Sequence, residues 1–139
     1  MKVLVDTSAW SLALRRRRKN LSRAERAIDL ALRDLIYEGQ AMLVGVVRQE
    51  LLSGTPDPDA FEKLGEYLRE FPDEPPTVED YEDAARCDNV CRSAGVAASP
   101  VDMLLCAIAR RLGSPVLTTD RDFDRYATHL SVRLLDVTL

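Results

Sequence analysis

Four acids, Asp6, Glu50, Asp102 and Asp120, stand among residues that read as core. Asp6 closes the apolar run Val3-Leu4-Val5, and Asp120 follows Pro115-Val-Leu-Thr118 within Leu-Thr-Thr-Asp-Arg-Asp-Phe. Glu50 comes soon after Ala41-Met-Leu-Val44, beside Leu51 and Leu52. Asp102 opens the most apolar helical stretch of the chain, residues 101–112. Carboxylates gathered in a sheltered cleft repel one another, so they must take up protons or bind cations. An all-oxygen cluster without nearby His or Cys suits a hard ion, Mg²⁺ or Mn²⁺. Ions held this way typically serve phosphoryl chemistry: they activate water, orient the phosphodiester and neutralise the leaving oxygen. No Gly-rich loop with Lys-Ser/Thr is present, so an NTPase has no support. No Ser-His-Asp or Cys-His set can be assembled, so nucleophilic catalysis has none either.

Each acid also has a plain structural role open to it. Asp6 and Asp120 could cap the helices that follow them. Glu50 could be a surface acid of its helix. Asp102 could complete a capping box with Ser99, with Pro100 at the first helical position. Their conjunction favours a shared site. Three strand ends are each followed closely by an acid, and the fourth acid opens a buried helix.

The elements that must position these acids follow from spacing. Residues 2–6, 41–44, 115–118 and 132–135 read as short buried strands. Ser22 and Glu25 form a capping box for a helix with Ala24, Ala27, Ile28, Ala31, Leu32 and Leu35 on one face, ended by Gly39. Further helices are expected over 46–52, 60–71, from Thr77 to about residue 94, and from Ser99 to Gly113. In the last of these, Leu105, Ile108 and Leu112 form the core stripe, while Cys106 and Ala109 leave room on the side of Asp102. Short apolar strands alternating with amphipathic helices predict an α/β fold with a parallel sheet covered on both faces.

The 139 residues suit one domain, with 46% hydrophobic and 30% charged residues. No apolar run is long enough to span a bilayer, and the N-terminus lacks the pattern of a secretory signal. Three cysteines make no disulfide framework. A soluble protein of a reducing, cytoplasmic compartment is expected. The net charge of −4 argues against a nucleic-acid partner, but it hides an uneven distribution. Residues 57–88 carry twelve acids and three bases, leaving sixteen bases against eleven acids elsewhere. Five bases are consecutive: Arg15, Arg16, Arg17, Arg18 and Lys19.

The opening Val-Leu-Val-Asp6-Thr-Ser8, Glu50, Asp102 in its apolar helix, and Thr118-Thr-Asp120-Arg-Asp122-Phe123 resemble the PIN-domain pattern, in order, over nearly the whole chain. The resemblance is greatest to VapC-type toxins, the ribonuclease half of prokaryotic toxin–antitoxin pairs. It implies a single PIN domain over residues 1–139, with a central parallel sheet of about five strands flanked by helices. It also implies an endoribonuclease dependent on Mg²⁺ or Mn²⁺. Carried over by position, Asp6, Glu50, Asp102 and Asp120 would bind metal, and Asp122 would be a supporting or second-metal acid. Ser8 and Thr118 would line the site, holding carboxylates or orienting water and substrate. Asp124 is expected at the solvated surface.

A VapB-like antitoxin and a homodimer are implied in the same way. Arg15, Arg16, Arg17, Arg18 and Lys19 could contact RNA backbone or an acidic stretch of a partner. The alternatives are an RNA-processing nuclease without a toxin role, and a PIN-fold module that binds RNA or protein and cleaves poorly. Cys87 and Cys91, with Tyr81, Ala84 and Ala94 on their stripe, read as core, as does Cys106. His129 reads as a surface or helix-end residue, and Trp10 as partly buried packing or an anchor at a partner surface.

Overall fold

The computed structural model describes residues 1–15 and 18–137, with Arg18 described through its backbone alone. Three short strands, β1 (Val3–Val5), β2 (Ala41–Met42) and β3 (Val116–Leu117), form a parallel sheet in the order β2-β1-β3. Val3 pairs with Ala41, and Leu4 with both Met42 and Val116. Among the described residues seven α-helices accompany it: α1 (Thr7–Arg15), α2 (Arg23–Tyr37), α3 (Gly45–Ser53), α4 (Pro58–Leu68), α5 (Val78–Ser93), α6 (Pro100–Leu112) and α7 (Asp122–His129).

The sheet has three paired strands among the described residues, where the family resemblance implied about five. The expected fourth strand, 132–135, pairs only around one residue. Val116 N donates to Arg133 O, and Leu135 N donates to Val116 O. Just upstream, the Val132 amide is already turned back onto Leu130 O, so the segment leaves a tight turn with little length to pair. Leu43 makes a further single bridge with Asp73.

The helix boundaries follow local chemistry. Both halves of the Ser22–Glu25 capping box are formed at α2, and Thr77 with Asp80 makes another at α5. Gly113 ends α6 at φ 64°, a left-handed position that glycine adopts without steric cost. α6 is buried on nearly every side from Met103 to Ala109. Leu112, expected in its core stripe, is 37% exposed, because the helix end rises out of the core. Tyr81, expected on the buried stripe of α5, is likewise exposed, whereas Cys87, Cys91 and Cys106 are fully buried. Trp10 is also fully buried, packing edge-on against Phe71.

Because the strands are parallel, their carboxyl ends share one edge of the sheet. β1 there delivers Asp6 and β3 delivers residues 118–120. In open parallel sheets this is the edge at which ligands bind.

Candidate active site

Asp6, at the end of β1, is 5% exposed. Its Oδ2 accepts hydrogen bonds from the Ser8 hydroxyl at 2.8 Å and the Thr118 hydroxyl at 2.8 Å. Each hydroxyl has one proton, so both protons are committed to this carboxylate. The hydroxyl lone pairs are used as well: Ser8 Oγ accepts from Thr119 N and Thr118 Oγ1 from Asp120 N, both at 2.9 Å. Ser8 and Thr118 therefore hold a carboxylate and the β3 loop, with no proton left over to orient water. Asp6 also starts α1, its backbone carbonyl accepting from Ala9 and Trp10. Burial pushes the Asp6 carboxyl above its usual range, against the lowering effect of the Thr118 and Ser8 hydroxyls and the Thr7 and Ser8 amides.

Asp102 lies in the first turn of α6. The Ser99 hydroxyl accepts from the Asp102 amide at 3.0 Å, which is the Ser99 side of the expected capping box. The Asp102 carboxylate itself turns to α7, where its Oδ2 accepts from the Tyr126 hydroxyl at 3.0 Å. Burial is the main cause that raises its pKa to about 6. The Tyr126 bond opposes this, while the charges of Asp6 and Asp120 add to it. Asp102 thus senses acids delivered by both β1 and β3, although no one element carries two of the three.

Asp120 Oδ1 accepts from the Asp122 amide at 2.9 Å and so starts α7. The Asp122 carboxylate is paired with Arg125 on the same helix at 2.8 Å. Asp124 is exposed, as expected. Glu50, on α3, takes a 2.6 Å hydrogen bond from the Thr7 hydroxyl, which ties it to the residue after Asp6. Each of the four acids therefore has an oxygen held by a hydroxyl or amide of the chain. Thr7 and Tyr126 complete this arrangement and were not singled out from the sequence. Thr7 has a visible signal, a hydroxyl beside Asp6. Tyr126 has none, because 24 residues separate it from Asp102.

The donor set fits a hard divalent ion: it is all oxygen, His129 is exposed at the end of α7, and the three thiols are buried. The described residues contain no ready-made group of three converging metal ligands. Like-charged carboxylates that draw together take up protons or are offset by a cation, and the Thr118 hydroxyl ties two of these acids together by donating to Asp6 and accepting from the Asp120 amide.

The basic run divides. Arg15 donates to Leu51 O and, at 2.9 Å, to Thr55 Oγ1. It satisfies a carbonyl at the C-terminal end of α3 and is thereby bound within the fold, although the side chain remains exposed. Lys19 is exposed. Arg16, Arg17 and the Arg18 side chain lie outside the described residues. The acidic stretch 57–88 is partly neutralised by arginines of α3 and α6: Arg48 with Asp73, and Arg111 with Asp80 and Glu74.

The PIN domain family model matches residues 3–128, and the chain belongs to the PIN domain family. PIN domains are in general nucleases that use divalent metals. Three solved structures share the fold across almost the whole chain. FitAcB from Neisseria gonorrhoeae is 20% identical, with 96% of each chain covered and a TM-score of 0.75. FitAB bound to an IR36 DNA fragment is 17% identical, with 96% of this chain and 93% of that chain covered and a TM-score of 0.71. VapBC2 from Rickettsia felis, bound to a DNA fragment from their promoter, is 12% identical, with 98% of each chain covered and a TM-score of 0.71. No helix among the described residues is long and apolar enough to cross a membrane.

Proposed function

We propose that this chain is a single-domain, Mg²⁺- or Mn²⁺-dependent endoribonuclease acting as the toxin of a VapBC-like pair in the cytoplasm. The observation that carries the reading is the delivery of Asp6 and Asp120 to one sheet edge, where the Thr118 hydroxyl donates to the Asp6 carboxylate and accepts from the Asp120 amide. Asp6, Glu50, Asp102 and Asp120 would hold the ion through their carboxylate oxygens. A bound ion supplies the charge that lowers the pKa of an attacking water and steadies the phosphodiester. The chain's own work is orientation. Ser8 and Thr118 hold Asp6, Thr7 holds Glu50, and the Asp122 amide holds Asp120. Hydrolysis by in-line attack would leave 5′-phosphate and 3′-hydroxyl ends. Asp122, paired with Arg125, would support the site from its rim.

A toxin role is supported by the family and by the shared fold of the FitAcB and VapBC2 assemblies. An antitoxin segment over the acidic edge and a homodimer belong to the same reading. The test is cleavage of total RNA by purified protein with Mn²⁺, with Mg²⁺ and with EDTA, beside Asp6→Asn. Discrete fragments that need metal and vanish in the variant are expected. Metal-independent or absent cleavage would overturn the nuclease and leave an RNA- or protein-binding module.

A further inference from the structure

We infer that Tyr126 is a positioning residue for the metal site, holding the Asp102 carboxylate so that its other oxygen faces Asp6 and Asp120. The inference rests on the metal-dependent reading above and extends it to a residue outside the acidic motifs. Tyr126 is 1% exposed, and a phenol buried to that degree needs a partner for its hydroxyl. The partner is Asp102 Oδ2 at 3.0 Å. A hydroxyl proton given to one carboxylate oxygen restricts the rotation of the group. Such outer partners orient ligating carboxylates in metal sites generally.

The ring itself is locked. It packs edge-on against Phe123 with centroids 5.1 Å apart, and Phe123 is fully buried. The helix that carries it is tied to a second acid, because the Asp122 amide at the start of α7 bonds to Asp120 Oδ1. α7 therefore brackets two acids that come from different elements, Asp120 after β3 and Asp102 on α6. Ser99, which caps α6, is the other side chain bonded to Asp102, so removing the Tyr126 hydroxyl leaves the carboxylate tied only to its own helix and no longer held from α7.

Tyr126→Phe removes one oxygen and preserves the ring packing. Mn²⁺ binding to the purified protein, followed by calorimetry and by the electron paramagnetic resonance signal of free Mn²⁺, is expected to weaken about 10- to 100-fold. Leu32→Val, which trims the core beneath α2, should lower the melting temperature without moving Mn²⁺ affinity. Equal Mn²⁺ affinity in the wild type and Tyr126→Phe, with Mn²⁺ still bound by the wild type, would overturn the role of Tyr126 and leave the nuclease reading intact. Failure of the wild type to bind Mn²⁺ would overturn both. A loss of affinity in Leu32→Val equal to that in Tyr126→Phe would also overturn the inference, since it would trace the effect to stability alone.

Discussion

Asp102→Asn should make the metal-free protein more stable while removing its activity. The raised pKa of Asp102, from 3.8 to about 6, means that ionising this group costs more in the folded chain than in the unfolded one. At about 1.4 kcal/mol per tenfold change in proton affinity, the full cost approaches 3 kcal/mol. Partial exposure of Asp102 screens it, and the first-turn position on α6 favours a negative charge by a few tenths of a kcal/mol. A net gain of about 1–2 kcal/mol is therefore expected, or roughly 3–6 °C in melting temperature for a domain of this size. Asn keeps the acceptor oxygen for the Tyr126 hydroxyl, so the packing is preserved.

The sign with pH follows from linkage. The folded state holds this proton more tightly, so wild-type stability falls as pH rises from about 4 to about 6, and the whole penalty is present above that. Asp102→Asn lacks the penalty. Thermal melts in EDTA, followed by far-ultraviolet circular dichroism, should show a gap at pH 7.5 that closes by about pH 4. Equal melting temperatures at pH 7.5, or a gap that does not change with pH, would refute the reasoning. Excess Mn²⁺ should raise the melting temperature of the wild type and leave the variant unmoved.

Asp6→Asn and Asp120→Asn should each reduce RNA cleavage by more than about a hundredfold with the fold retained, as judged by circular dichroism and gel cleavage assays. Thr118→Val removes a donor to Asp6 and the acceptor for the Asp120 amide, so Mn²⁺ affinity should fall about tenfold or more in calorimetry, with a stability loss of about 1–3 kcal/mol in urea melts. Asp80 behaves in the opposite way to Asp102. Burial would raise its pKa, but the Arg111 and Thr77 bonds outweigh it and hold the carboxyl below its usual range. Its contribution is present at neutral pH and lost as pH falls through the acid range. Asp80→Asn should cost about 2–3 kcal/mol in urea melts at pH 7 and leave Mn²⁺ affinity unchanged. Arg15→Ala should lower stability by about 1 kcal/mol without altering the salt dependence of RNA binding. Lys19→Ala should reduce that salt slope by about one, in filter-binding titrations, if Lys19 meets phosphate.

Composition and local pattern by themselves determined the α/β class, the positions of the three paired strands and the capped helices α2, α5 and α6. These depend on interactions within a few residues: a serine three positions before an acid, a glycine at a helix end, an apolar run. They also marked Asp6, Glu50, Asp102 and Asp120, because acids embedded in apolar surroundings are costly and therefore informative. α1 and α7 were visible only as helices that Asp6 and Asp120 could cap. Their own periodicity is short, and α1 ends in a run of bases. The number of strands was not legible, since pairing at the 132–135 edge is decided by how the turn at residues 130–132 releases the chain.

Only the tertiary structure decided what each polar group is used for. Ser99 could have drawn the Asp102 side chain into a capping box, yet that carboxylate goes to Tyr126, which the packing of α7 on α6 brings within 3.0 Å. Ser8 and Thr118 lie 110 residues apart and spend both protons on one oxygen of Asp6. Arg15 reads as part of a basic patch and instead holds the end of α3. A proton can be donated once, and a guanidinium that serves a helix end is drawn away from a ligand. Those allocations depend on distances between elements that no local pattern encodes.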